Sequence, residues 1–271
     1  MNNIPISNKI PELDIAIKAA QEAGNAILKI YENDYKTFTK SDDSPVTDAD
    51  LQSNKIIKEI LSVTNHSILS EEDLDDENRL SKEMIWIIDP LDGTSDFIDK
   101  TGEFTVMIAL IQNQKPILGV IAWPTEKILF VAQKNSGAFR YSNNQWEQIF
   151  VTKTYELSKC KTIGSRHHLS DKEKHFIKKI GIKDFTSIGS SLKVGKISSG
   201  EADAYITTTN KMKEWDTAAS YCIITEAGGK MTDMLGNDLT YNNKNVFHQN
   251  GILVTNGLIH HEILEEFKKL E

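Results

Sequence analysis

The sequence predicts a mixed α+β and α/β chain of two closely packed lobes with a cleft between them. Three observations carry this. A helical periodicity opens the chain, long apolar strands with short polar turns fill its centre, and strand–helix alternation follows from about residue 150. The chain has 271 residues; at roughly 150 residues per domain that is about two domains. The division expected is 1–150 for an α+β lobe and 151–271 for an α/β lobe.

Between Glu12 and Glu32, Leu13, Ile17, Ala20, Gly24, Ile27, Leu28 and Tyr31 recur at steps of three and four, the spacing of an amphipathic helix. The polar stretch NDYKTFTKSDDSP breaks that pattern. Thr47 is placed as the N-cap of a second helix, with Asp50 completing a T-x-x-D capping box. Leu51, Ile57, Ile60 and Leu61 are expected on one face of it. The short strand HSIL leads into Ser70-Glu71-Glu72, and EEDLDDENRL is acidic enough to be expected as a solvated loop.

From Met84 the character changes. MIWIIDP is an apolar strand stopped by Pro90; EFTVMIALI, PILGVIAW and KILFVAQ follow, separated by QNQK, PTE and KNSG, which predicts an antiparallel meander. Beyond residue 150 the pieces KTIGSR, SLKVGKISSG, ADAYIT, DTAASYCIITEAGG, KMTD, GILVTN and HHEILEEFKKLE alternate strand with helix.

Composition narrows the function. Lys and Arg number 31 against 39 Asp and Glu, a net charge of −8. That balance argues against a nucleic-acid-coating surface or one that binds an anionic membrane. Cys160 and Cys222 are too few for a disulfide framework or a four-cysteine zinc site. The start MNNIPISNKIPELD lacks the apolar run of a signal peptide, and no run approaches 18 apolar residues. The expected location is the cytoplasm.

The stretch WIIDPLDGTSDF, residues 86–97, holds the chemistry. An apolar strand delivers Asp89, Asp92 follows three residues later, and Gly93-Thr94 opens a helix. Two hard carboxylates on a tight turn, with the Leu91 carbonyl between them, suit divalent cations. Backbone N–H groups at Gly93 and Thr94 suit an incoming phosphate. A solvated Asp-Pro/Asp-Gly turn is the bland alternative, which the preceding IWII disfavours. An aspartyl-phosphate enzyme would need D-x-D-G-T; here Pro90 and Leu91 both separate the aspartates, which favours metal ligation over a covalent intermediate. Glu71, Glu72, Asp50 and Asp216 are weaker candidates, each explicable alone as a loop acid or a helix cap.

SPVTDAD, ILSEE, WIIDPLDGTSDFI and EWDTAA, in that order, resemble the inositol-monophosphatase-like superfamily of Mg²⁺-dependent, lithium-inhibited phosphatases over nearly the whole chain. GEFTVMIALI, KPILGV, SRHH and TSIGSSLK resemble its bacterial CysQ-type 3′(2′),5′-bisphosphate nucleotidase branch. The resemblance implies a layered αβαβα sandwich and two or three Mg²⁺ ions. It implies that Glu71 is a metal ligand that helps orient the attacking water, that Asp89 bridges two metals, that the Leu91 carbonyl binds the first and that Asp92 binds the second. Asp216 would bind the second metal and Asp50 a weaker third. Thr94 would pair with Glu71 to position the nucleophile. The Asp92-Gly93-Thr94 backbone would hold the scissile phosphate, and Ser190 and Lys193 would contact the nucleotide. Arg166 or His168 is placed near the second phosphate; SRHH stands where relatives often carry SRSH, so no role is carried over to His167.

A nucleoside 3′,5′-bisphosphate carries roughly four negative charges, about −1.5 to −2 on each phosphate. A chain of net −8 would repel it without local cations. The all-oxygen donor set favours Mg²⁺ over zinc. The expected reaction is removal of the 3′-phosphate of adenosine 3′,5′-bisphosphate, with the sulfated nucleotide PAPS as a further candidate substrate, by direct attack of a metal-activated water. The alternatives are an inositol or sugar phosphatase on the same scaffold and a non-catalytic cation-binding module. The resemblance also allows peripheral attachment to the inner membrane.

Overall fold

The computed structural model describes residues 3–33, 35–39 and 45–270. Two helices, α1 (Pro11–Tyr31) and α2 (Asp48–Leu61), frame a two-stranded ribbon, β1 (Thr37–Thr39) and β2 (Pro45–Thr47). A seven-stranded sheet follows: β3 (Ser67–Ser70), β4 (Met84–Asp92), β5 (Thr105–Gln112), β6 (Lys115–Trp123), β7 (Ile128–Gln133), β8 (Ala138–Ser142) and β9 (Gln145–Ile149). The strands lie in chain order, with β3 parallel to β4 and every later pair antiparallel. The five-residue helix α3 (Thr94–Ile98) leaves the end of β4.

The second sheet has the order β11-β10-β12-β14-β13. Its strands are β10 (Lys161–Ser165), β11 (Asp184–Ile188), β12 (Ala204–Thr207), β13 (Lys230–Thr232) and β14 (Ile252–Thr255). The helices α4 (Asp171–Lys179), α5 (Leu192–Ser198) and α6 (Glu214–Glu226) separate β10, β11, β12 and β13 in turn, and α7 (His260–Lys268) follows β14.

The layering follows from the period-two alternation of the central strands. Trp86, Ile88, Val106, Ile108, Val120 and Val131 face Leu13, Ala20 and Ile27 of α1 and Ile57 of α2. Their neighbours Ile85, Ile87, Met107, Ala109, Ile121 and Phe130 face the other way, onto α5, α6 and the second sheet. Both faces are covered, so these strands read as continuous apolar runs. A third core packs α4 and α7 (Phe176, Ile177, Ile263, Phe267) against the far face of the second sheet at Ala204, Ile206 and Leu253. The result is the expected αβαβα sandwich. Helix α6 lies in its middle layer and buries apolar residues nearly all round. It approaches β6 where Gly119 stands: a Cβ there would lie 2.5 Å from the Ala219 carbonyl oxygen.

Several expectations change. Leu51 is 48% exposed, whereas Ala49, Asp50, Ser53, Ile57 and Leu61 are buried; it points away from the face of α2 that meets the sheet. Pro90 does not end its strand: β4 runs to Asp92 through a bulge. The acidic run 71–80 is not all solvated loop. It contains a 3₁₀ turn, Glu77–Ser81, whose Arg79 is buried. Strands β8, β9 and β11 and helix α4 are not among the elements expected from the sequence. The polar break at 33–45 lies partly outside the described residues. Among the described residues no helix is long and apolar enough to cross a membrane.

Candidate metal and phosphate site

The site grows from the bulge in β4. Asp89 pairs with Met107 and Asp92 with Thr105, so Pro90 and Leu91 together stand opposite Val106. Proline has no N–H for the ladder, and the bulge lets it sit inside the sheet while turning the strand end. The Pro90 carbonyl accepts the Ser53 hydroxyl of α2 at 2.7 Å. Gly93 then takes φ +92°, a left-handed conformation natural to glycine, and caps α3. Asp89 and Asp92 are thereby delivered three residues apart at one corner.

Asp89 is 1% exposed and accepts the Leu91 amide at 3.0 Å. Burial, and then the charges of Glu71, Asp92, Asp216 and Glu72, hold its carboxyl well above the usual carboxylate range. Burial pushes Asp92 up against the opposing pull of Lys193 and of hydrogen bonds from Ser191 and Thr105. Asp216, at the third position of α6, accepts the Lys213 amide at 2.7 Å. Burial, with Glu71 and Asp92 adding, pushes it up to about 8. Glu71 and Glu72 follow β3, and the Glu71 amide donates to the Ile88 carbonyl at 3.3 Å. Four acids from three distant segments, Glu71, Asp89, Asp92 and Asp216, therefore share one field.

Asp50 does two things. Its Oδ2 accepts the Thr47 amide at 2.7 Å and the Thr47 hydroxyl at 2.6 Å, completing the capping box. Its Oδ1 accepts the Thr94 hydroxyl at 3.1 Å. Burial raises the Asp50 carboxyl against these bonds. Thr94 also reaches the Leu91 carbonyl at 3.3 Å. The structure thus gives Thr94 a bond to Asp50, 44 residues away in the chain.

On the substrate side the serines act differently from simple caps. The Ser191 amide donates to Asp92 Oδ2, and its hydroxyl shares a hydrogen bond of 2.7 Å with Thr105, which itself donates to Asp92 at 3.2 Å. Ser190 adopts φ +48°, and its hydroxyl accepts the Leu192 amide at 3.4 Å. Lys193 is 7% exposed, which excludes an exposed lysine behind a cap. Its ammonium donates to the Ser190 carbonyl at 2.5 Å and sits 5.3 Å from the centre of the Tyr205 ring. Burial pushes this amine down, against the charges of Asp92, Asp96, Glu103 and Asp216.

Arg166 is spent on carboxylates: its guanidinium donates to Glu103 at 3.1 and 2.6 Å and lies 3.3 Å from Asp96. His167 also faces Asp96, at 3.3 Å. His168 is held below its ordinary value by burial, with His167, Lys193 and Lys211 adding positive charge.

Sequence reasoning missed Thr105, the polar residue opposite Asp92 at the head of an apolar strand. It also missed Arg79 and Glu214. The one signal for Glu214 was its place two residues before Asp216.

The residues suit a hard divalent cation. The donor set is carboxylate and carbonyl oxygen, and its buried like charges raise one another in a way that a bound cation would offset. Among the described residues no three His, Cys, Asp or Glu side chains already close into a cage.

A family model described as the inositol monophosphatase family matches residues 9–271. The chain belongs to the inositol monophosphatase family. Members of this family are metal-dependent phosphatases, typically using Mg²⁺. A Salmonella typhimurium protein named 3′(2′),5′-bisphosphate nucleotidase CysQ is 35% identical over 90% of this chain and 99% of its own length. The Escherichia coli K12 protein of that name is 34% identical over the same shares. Among solved structures, CysQ from Bacteroides thetaiotaomicron, described as a bacterial member of the family, superposes with a TM-score of 0.78 at 32% identity. It covers 90% of this chain and 96% of that one.

Proposed function

We propose that this chain is a Mg²⁺-dependent 3′(2′),5′-bisphosphate nucleotidase that removes the 3′-phosphate of adenosine 3′,5′-bisphosphate to give AMP and phosphate. The observation that carries this reading is the convergence of Glu71, Asp89, Asp92 and Asp216 on one corner, in a chain that matches CysQ relatives over 90% of its length. Residues 1–150 supply most of the ligands; residues 151–271 supply Asp216 and the substrate contacts.

Two or three Mg²⁺ ions, held by Glu71, Asp89, the Leu91 carbonyl, Asp92 and Asp216, with Asp50 for a weaker third, would offset the phosphate charge and lower the pKa of a water. Thr94 gives its hydroxyl hydrogen to Asp50 Oδ1. Its oxygen is left to accept a hydrogen bond from an attacking water, and Asp50 holds that orientation. Glu71 orients the same water from the opposite segment. The Asp92-Gly93-Thr94 backbone seats the scissile phosphate. Ser190 and Lys193 face the nucleotide; in this structure the buried ammonium of Lys193 rests on the Ser190 carbonyl. We assign the second phosphate to His168, which feels the positive charges of Lys193 and Lys211, over Arg166, whose charge Glu103 and Asp96 already neutralise. No side-chain nucleophile is used, so hydrolysis is direct.

Phosphate release from adenosine 3′,5′-bisphosphate, inositol 1-phosphate and fructose 1,6-bisphosphate tests this. The expected outcome is the highest kcat/KM for the nucleotide, dependent on Mg²⁺. A higher kcat/KM for inositol 1-phosphate or the sugar bisphosphate overturns the substrate assignment, and no Mg²⁺-dependent release from any of them overturns the enzyme.

A further inference from the structure

We infer that Arg79 and Glu214 form a buried strut that holds the Glu71 and Asp216 segments at a fixed separation and so sets the affinity of the site for Mg²⁺. The inference rests on the reading of that corner as a metal site. Arg79 is 1% exposed, although it lies within the acidic run after Glu71. Its guanidinium grips Asp75, four residues after Glu71, through Nε at 2.6 Å and Nη2 at 2.7 Å. The other side of the same plane crosses to a segment more than 160 residues away. Nη1 donates to the Asn242 side-chain oxygen at 2.8 Å and Nη2 to the Asn243 carbonyl at 2.9 Å. Asn242 answers with a bond from its side-chain amide to the Arg79 carbonyl at 3.1 Å.

The segment 242–243 in turn closes on Glu214. The Asn242 amide donates to Glu214 Oε2 at 2.7 Å, and the Asn243 amide and side-chain amide donate to Oε1, both at 2.9 Å. Glu214 is 1% exposed and begins α6, two residues before Asp216. A continuous chain of bonds therefore runs from the loop after Glu71, through Arg79 and two asparagines, to the first turn of the helix that carries Asp216. Arg79 is also the cation whose charge Glu214 feels.

Such a link is useful at this place. Glu71 follows a strand of the seven-stranded sheet and Asp216 begins a helix of the next layer, so their separation depends on what joins the two segments. A rigid connection behind them keeps the donors near the spacing an ion needs. Groups that orient ligands from behind typically alter metal affinity or activity by about 10–100-fold when removed. Arg79 is a positioning residue in this scheme, since it touches neither substrate nor metal. A planar five-donor fork is required to hold Asp75 and both asparagines together, which a lysine ammonium does not provide.

The test compares wild type, R79M, R79K and a control, I263A, which opens a cavity in the distant α7 layer. Two readouts are used: the Mg²⁺ concentration for half-maximal phosphate release, and Mg²⁺ binding followed by calorimetry and by the rise in Tm over protein in EDTA. R79M is expected to raise the Mg²⁺ half-saturation and Kd by roughly 10-fold or more, with kcat at saturating Mg²⁺ nearly kept. R79K should fall between R79M and wild type, and serves alone if R79M does not fold. I263A should lower Tm in EDTA while leaving the Mg²⁺ affinity at the wild-type value. Unchanged Mg²⁺ affinity in the folded Arg79 variants, or an equal loss in I263A, overturns the strut. Mg²⁺ binding needs no substrate, so failure of the nucleotide assignment leaves this test standing; absence of Mg²⁺ binding by wild type would instead remove the metal reading itself.

Discussion

Asp233 and Asp89 are both buried acids, one directly after β13 and the other within β4, yet their surroundings differ in kind. Asp233 accepts the amides of Leu235 at 2.9 Å and Asn237 at 2.8 Å, and the side-chain amides of Asn237 at 3.0 Å and Asn250 at 3.2 Å. Glu226 is treated the same way, with the amides of Asn135, Ser136 and Gly137 converging on it at 2.8–3.0 Å. These carboxylates close loops, and neutral donors satisfy them. Asp89 accepts one amide and is crowded by Glu71, Asp92 and Asp216. A buried acid given dipoles is a structural part; buried acids given one another are arranged for a cation from outside.

The sharpest way to break that contrast is Asp89→Asn. Loss of a proposed cation ligand should remove several kcal/mol of transition-state stabilisation, on the order of 10³-fold or more in kcat/KM. In EDTA the same variant should melt within a few degrees of wild type. Burial and the neighbouring acids disfavour a charged carboxylate at Asp89, so replacing it with an amide removes like-charge repulsion from the ion-free fold. A variant that keeps activity, or one that unfolds in EDTA, would place Asp89 with Asp233.

Asp233→Ala should show the reverse pattern. It leaves two backbone amides without their acceptor, which costs about 2 kcal/mol, or roughly 5 °C in Tm for a chain of this size. Activity and Mg²⁺ dependence should stay near wild type. Thermal melts and phosphate release on the same preparation check both halves; lost Mg²⁺ response at unchanged Tm would erase the distinction between the two sites.

How much of this was readable in advance depends on the range of the contact. The D-P-x-D-G-T corner was legible because its strand is an unbroken apolar run and because the adjacent Asp-Pro and Asp-Gly pairs signal a bend in the chain. The helix α1 was legible because Leu13, Ile17, Ala20 and Ile27 repeat at its own period. Leu51 was misassigned because one apolar residue at helical spacing carries no record of which face meets the sheet. The acidic run after Glu71 hid Arg79, since the partners that bury its guanidinium lie at Asn242 and Asn243. Asp50 shows the same limit: its bond to Thr47 is local and was visible, whereas its bond to Thr94 spans 44 residues and was not.

The smallest expected effect concerns a buried group that belongs to neither class. His248 is 7% exposed, shares a 2.6 Å hydrogen bond with the Thr217 hydroxyl and stands edge-on to Tyr241. Burial lowers its pKa to about 4, against about 6.5 when unfolded. Below pH 6.5 the unfolded chain takes up a proton that the folded chain refuses, so this stability is complete above 6.5 and is lost as pH falls toward 4. By pH 5 the loss is roughly 2 kcal/mol. The carboxylates around Asp89 run in the opposite sense, because their raised values make the ion-free fold gain protons relative to the unfolded chain as pH falls. Wild type alone would therefore blur the two, and the difference between wild type and His248→Gln isolates the histidine. Tm measured in EDTA from pH 7.5 to 4.5 should fall less steeply in the variant; equal slopes would mean that the ring is protonated in the fold and that the pocket at Thr217 admits a charge.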